Sequence, residues 1–202
     1  MRSIFNFVIR PKESRKTNVK KIGESELLLS TDLQDHKYVN RVGIILGIPE
    51  LGCSDLQPGD EVIVHHNVFR RFYDVRGKEK NSAAYFDEDV YLCSPDQIYM
   101  YKRDEDWKPL DGFCFVKPIR SLNEMWTPNE EEPLVGILKH TDKLLEDNNL
   151  NKEDLVGFTP RSEYEFVIDN DRMYRVPSSD ISIKYERTGN EKEYNPSWTQ
   201  GS

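Results

Sequence analysis

The sequence contains no apolar run approaching the ~20 residues that a membrane-spanning helix requires, which argues against a membrane protein. Cysteine is scarce and odd in number. Cys53, Cys93 and Cys114 lie far apart, whereas small secreted scaffolds carry dense, even sets. The first residues, MRSIFNFVIRPKES, hold no apolar stretch of signal-peptide length and no small-residue cleavage site. A reducing, cytoplasmic location is therefore expected. Hydrophobic residues make up only 37% of the 202, below the ~45–50% of an average globular chain, which argues against one large core. Helical periodicity is nearly missing, and Asp142–Asn149 (DKLLEDNN) offers two turns at most.

Charge and aromatics are plentiful. Twenty-eight basic against 36 acidic residues give a net charge of −8, so the whole chain is a poor polyanion binder and nucleic acid is not an expected partner. Aromatics at 11% are too many for a disordered chain. Small β-domains with long polar loops fit both facts.

Strand signals run along the chain. Ile4–Arg10 is β-branched and aromatic, and Pro11 is expected to stop it. Val42–Leu46 is a continuous apolar run closed by Gly47. The turn Leu56-Gln57-Pro58-Gly59-Asp60 leads straight into Glu61–Val64. Val68–Val75 is aromatic and reads as a further strand. Asp89–Cys93 passes through Ser94-Pro95-Asp96 into Gln97–Tyr101 with period-two alternation.

These elements recur in one order, which makes an internal duplication. Arg10-Pro11 returns as Lys117-Pro118, and Val42-Gly43-Ile44 as Val135-Gly136-Ile137. Leu56, Asp60 and Val62 return as Leu150, Asp154 and Val156. Tyr91 and Ile98 return as Tyr174 and Ile181. The second copy is shorter after its first strand and again in its middle. Several short strands in under a hundred residues, without interleaved helices, mean a small barrel or sandwich per copy.

The order of motifs resembles the GroES co-chaperonins. Their turn-strand is matched by Gln57-Pro58-Gly59-Asp60-Glu61-Val62, and their closing segment by Glu88-Asp89-Val90 through Asp96-Gln97-Ile98. In the second half Lys152-Glu153-Asp154-Leu155-Val156 and Ser179-Asp180-Ile181 are similar but weaker, having lost the turn glycine. The resemblance covers about residues 4–103 well and 112–186 loosely. It implies an all-β chain of two tandem small GroES-like β-barrels joined by a short charged linker. The expected divisions are a barrel over 1–103 with a long mobile loop at about 12–40, a linker at 104–111, a shorter barrel over 112–186 and a mobile tail over 187–202. A reduced insert at Ile48–Gln57 is similar to that of some bacteriophage-encoded members.

The family's loop carries glycine before an apolar tripeptide, and the matching segment here is Gly23 with Leu27, Leu28 and Leu29. Three leucines in a polar loop either join a barrel as an edge strand or dock in another protein's groove. Burying one contributes ~1.5–3 kcal/mol. The resemblance implies that this loop binds a chaperonin (GroEL-type) ring, that the chain self-associates into a ring, and that it needs no cofactor because the partner's ATP cycle supplies the energy. The alternative is a tandem β-barrel structural protein, for instance of a virion, using the fold as scaffold only.

Catalytic and metal chemistry find little support. No G-x-S-x-G, phosphate loop or dinucleotide fingerprint occurs, so no enzyme is expected. Zinc ligands usually come as pairs such as C-x₂-C, and none is present. His65 and His66 are adjacent on an expected strand and so would point to opposite faces. Cys93 and Cys114 read as small buried hydrophobes. The cluster Arg10, Lys12, Arg15, Lys16, Lys20 and Lys21 lacks the interleaved aromatics that stack on bases, and Glu130-Glu131-Glu132 reads as solvated.

Overall fold

The computed structural model describes residues 3–13, 41–52, 55–121 and 131–196, together with the backbone alone over 19–22 and 25–28. The chain divides into two compact units, Met1–Trp107 and Lys108–Ser202. Both are built of antiparallel sheet, so the protein is all-β.

The first unit carries β1 (Phe7–Pro11), β2 (Val19–Ile22), β3 (Ser25–Leu28), β4 (Val42–Gly47), β5 (Glu61–Val64), β6 (Arg71–Tyr73), β7 (Glu79–Asn81), β8 (Tyr85–Asp87), β9 (Val90–Cys93), β10 (Ile98–Arg103) and β11 (Asp106–Pro109). Seven form one sheet in the order β11-β10-β5-β4-β1-β9-β8, while β2–β3 and β6–β7 are separate two-stranded sheets. Alternation places Tyr91 and Cys93 of β9 inward and leaves Val90 and Leu92 half-buried, as the period-two pleat requires. Phe69 packs edge-on against Tyr91 at 4.9 Å between ring centroids, and both are fully buried.

The second unit carries β12 (Phe113–Arg120), β13 (Glu131–His140), the short helix α1 (Lys143–Asp147), β14 (Leu155–Phe158), β15 (Tyr164–Ile168), β16 (Asp171–Pro177) and β17 (Ile181–Tyr185). Its sheet order is β15-β16-β12-β13-β14-β17. Cys114, Val116, Leu138, Leu145, Val156, Phe158 and Val176 form its main core cluster. Asp142 caps α1 by accepting from the Leu145 amide at 3.0 Å, within the span expected to be helical.

The two sheets share one plan. Exchanging β1, β4, β5, β8, β9 and β10 for β12, β13, β14, β15, β16 and β17 turns the order β8-β9-β1-β4-β5-β10 into that of the second sheet, and β11 is an additional edge strand of the first. Register agrees residue by residue. Arg10 faces Ile44 and Pro11 faces Gly43, as Lys117 faces Ile137 and Pro118 faces Gly136. Gly43 faces Val62 as Gly136 faces Val156. Ile9 faces Tyr91 as Val116 faces Tyr174, and Ile98 faces Val64 as Ile181 faces Phe158. The turn before β5 is closed by the Gln57 amide on the Asp60 carboxylate at 2.8 Å, and that before β14 by Asn151 on Asp154 at 2.8 Å. Gly59 takes φ +98° in the first turn and Glu153 φ +72° in the second.

Several local expectations are corrected. Pro11 does not lie beyond β1 but is its last residue, paired with Gly43; Pro118 sits inside β12, where the ladder with β13 is irregular and a missing amide hydrogen costs least. Val68–Val75 is not one strand, because a turn closed by Val68 N on His65 O precedes the short β6. The charged stretch 104–111, within which the two units divide, has structure of its own: a turn at Asp104–Glu105, both at positive φ, and then β11 beside β10. The segment read as a mobile tail is pinned over 187–196: Arg120 N donates to Lys192 O and Tyr194 N to Pro118 O, each at 2.8 Å. Lacking apolar period, it is held through its backbone and through polar side chains, Glu193 on Lys139 and Asn195 on Arg172 N.

Candidate functional site

The expected docking loop leaves the first sheet beyond the pair Pro11 and Gly43 of β1 and β4. A side chain at Gly43 would put its Cβ 3.2 Å from Arg10 O and from the Phe69 ring, so the close approach favours glycine. Beyond it, Lys12 N donates to Val42 O at 3.0 Å and Val64 N to Arg41 O at 2.8 Å. Lys12 Nζ pairs with Glu61 at 2.8 Å in an exposed contact, worth ~0–1 kcal/mol.

Within the loop, β2 and β3 run antiparallel, with Val19 opposite Leu28, Lys20 opposite Leu27 and Ile22 opposite Ser25. Leu27 and Leu28 thus lie in a strand that pairs with β2, in a two-stranded sheet distinct from the seven-stranded one. Gly23 and Leu29 lie outside the described residues, as does most of the 12–40 span expected to be mobile.

The second unit treats the same place differently. After Pro118 faces Gly136, the next pair is Arg120 with Glu131. Glu131 is gripped from β16: Tyr174 donates its hydroxyl to Glu131 Oε1 at 2.6 Å, and Arg172 donates to the other oxygen. Arg172 also reaches Glu165 at 2.7 Å, and its backbone amide donates to Asn195 Oδ1 at 3.0 Å. Glu193 of the tail pairs with Lys139 at 2.6 Å. Glu131 is therefore clamped rather than solvated. Repeat register assigns Arg172 to the position of Asp89, and Tyr174 to that of Tyr91, whose ring packs against Phe69 and Tyr85. Among the described residues the first stem therefore shows no counterpart of this carboxylate–guanidinium clamp at Asp89 and Tyr91.

The remaining candidates are placed by strand ends and burial. His65 and His66 lie beyond β5, so strand alternation does not separate them; their rings stack 4.2 Å apart. Among the described residues no group of three or more His, Cys, Asp or Glu is placed to hold a metal ion. Cys93 and Cys114 are buried free thiols. Burial pushes the Cys93 thiol far up and the Cys114 thiol up to about 12, which leaves both inert at neutral pH. Cys53 lies outside the described residues, as do Arg15, Lys16 and Glu130. Among the described residues no helix is long and apolar enough to cross a membrane.

Sequence reasoning missed the Arg172 clamp and the β6–β7 arm. The arm had a local signal in Asp74-x-x-Gly77, a turn where Asp74 Oδ1 accepts from the Arg76 and Lys78 amides at 2.9 and 3.0 Å. No family model matches the chain, and no curated protein matches it.

Proposed function

We propose that the chain is a co-chaperonin of GroES-like kind, each repeat a small barrel, which caps a chaperonin ring through the loop of its first repeat. One observation carries the reading: two repeats share a register, yet the first spans 12–41 between its matched strands and carries β3 with Leu27 and Leu28 there, whereas the second spans only 121–130. The motifs on which the resemblance rests lie at the starts of strands, Gln57–Asp60 turning into β5, Glu88-Asp89 leading into β9 and Asp96-Gln97 into β10. The part of the chain is binding and assembly, with no reaction of its own, and the ring partner's ATP cycle drives folding of the client. A loop contact that is weak per chain becomes effective when a ring of copies repeats it, so self-association belongs to the reading. Gly23, Leu27, Leu28 and Leu29 are the proposed contact residues.

A second reading has support in an exposed apolar group in the first unit. Ile4, Phe5, Leu46, Ile48 and Leu51 are all more than two-fifths exposed, on segments tied by Glu50 N to Ser3 O and Leu51 N to Ile4 O. Such a group suits contact between copies in a structural assembly, without any chaperonin. Co-sedimentation of the full chain with a chaperonin ring, with and without ATP, separates the two. A nucleotide-dependent complex is the expected result. Self-assembled particles that ignore the ring under both conditions would favour the second reading.

A further inference from the structure

We propose that a groove beside the β6–β7 arm of the first unit binds an acidic, apolar-flanked segment of a partner protein in extended form. The arm is an insertion that the second repeat lacks, since only Thr159–Glu163 separates β14 from β15 there. Its base is stapled: Val68 and Phe69 are fully buried, and Ser82 donates its hydroxyl to Val68 O at 2.6 Å across the two ends of the insertion. The arm therefore stands on a fixed foot.

Between this foot and the outward side of β9 lies an open cavity of about 400 Å³ lined by Asn67, Arg70, Phe72, Leu92, Ser94 and Gln97, among others, with no carboxylate among its lining residues. Leu92 faces it because its neighbours Tyr91 and Cys93 point into the core. Arg70 supplies the charge. Its Nε is buried without a hydrogen-bond partner, and its one bond among the described residues is a long one from Nη1 to Asn67 Oδ1 at 3.5 Å. A guanidinium that no described acid occupies offers the planar fork that carboxylates fill. Beside it Phe72 remains 39% exposed.

The arm extends the same chemistry. Phe72 lies opposite Lys80, so a cation sits beside the aromatic along one face. Residues 70–81 carry five basic side chains, Arg70, Arg71, Arg76, Lys78 and Lys80, against two acidic ones, Asp74 and Glu79. Glu79 is paired with Arg71 at 2.8 Å, and Arg71 also lines a pocket with Asp87, Glu88 and Asp89, which leaves Arg70 and Lys80 as the cations beside Phe72. A basic arm on a chain of net charge −8 selects an acidic partner by charge complementarity. The open shape suits a strand-like segment that puts an acidic side chain on Arg70 and an apolar one on Phe72 and Leu92. This site uses no residue of the loop contact and stands whether or not the chain binds a chaperonin.

The test is fluorescence anisotropy of the full chain with a labelled octapeptide of alternating aspartate and leucine. Saturable binding that weakens with salt is expected, and Arg70→Gln or Phe72→Ser should weaken it by about tenfold or more. An asparagine–leucine octapeptide should bind at least about tenfold more weakly. Arg76→Gln, at the tip of the arm, should change affinity less than about threefold. Thermal midpoints of all variants should match the parent, since Arg70 holds no ion pair among the described residues. No saturable binding at millimolar protein, equal binding of the neutral peptide, or indifference to Arg70→Gln would overturn the proposal. So would tighter binding of a short oligothymidylate with the same variant sensitivity, which would make the groove a nucleic-acid platform.

Discussion

In the first unit Pro11 faces Gly43 and in the second Pro118 faces Gly136, but beyond these matched pairs the two stems diverge. After Pro118 the chain is held by Arg172, Tyr174 and the tail. After Pro11 the described contacts include two backbone bonds, Lys12 N to Val42 O and Val64 N to Arg41 O, and an exposed ion pair of Lys12 with Glu61. A duplicated ladder has thus kept its frame while its loops diverged. Backbone register is dictated by many pairings at once and resists change, whereas a loop base depends on a few side chains.

The two stems differ most sharply at their glycines. A Cβ at Gly136 would lie 2.5 Å from Lys117 O and from a Val116 methyl, whereas at Gly43 the nearest atoms are 3.2 Å away. Gly136→Ala should therefore cost about 3 kcal/mol and Gly43→Ala about 1 kcal/mol, measured by denaturant unfolding. Equal costs would contradict the difference in tightness between the two stems.

The clamp comes next. Arg172 is 8% exposed and serves both Glu131 and Glu165, so Arg172→Met should cost about 2–3 kcal/mol by stranding two carboxylates. Its counterpart change, Asp89→Asn, should be near neutral. Hydrogen exchange should show the loss at the start of β13 and leave the first unit unchanged.

The turns give a smaller contrast. Asp60 is buried and takes two bonds from Arg103, at 3.0 and 2.6 Å, whereas Asp154 meets Lys184 at 2.6 Å nearer solvent. Asp60→Asn should cost about 2 kcal/mol and Asp154→Asn about 1 kcal/mol. The Arg103 hydrogen bond holds the Asp60 carboxyl below its ordinary 3.8. For Asp154, burial acts upward but the Asn151 amide and Lys184 outweigh it, so its carboxyl is also lowered. A lowered carboxylate stabilises the fold above its unfolded pKa, and that contribution disappears as pH falls through the folded value. Stability should therefore fall below pH 3.8, and less steeply in Asp60→Asn.

The repeat was legible in the sequence because its anchors need particular residue chemistry. Gly43 and Gly136 sit at close backbone approaches, and Asp60 and Asp154 close turns on a fixed spacing. Such demands leave marks that survive divergence. The Arg172–Glu131 clamp left none, because it joins residues 41 apart through side chains that obey no period. The β15–β16 hairpin did carry a signal, Asp169-Asn170 at positive φ between YEFVI and RMYRV, of the kind that two-residue turns favour. His65 and His66 were misplaced because β5 ends at Val64, one residue before alternation would have applied.

The division of labour between the repeats is tested most directly by the chaperonin-ring affinity of the full chain carrying Leu27→Ser, Leu28→Ser and Leu29→Ser. The account predicts that ring binding is lost while the thermal midpoint stays within about 2 °C of the parent. Unchanged binding would contradict it. So would a midpoint lowered by many degrees, which would make the leucines part of the folded core.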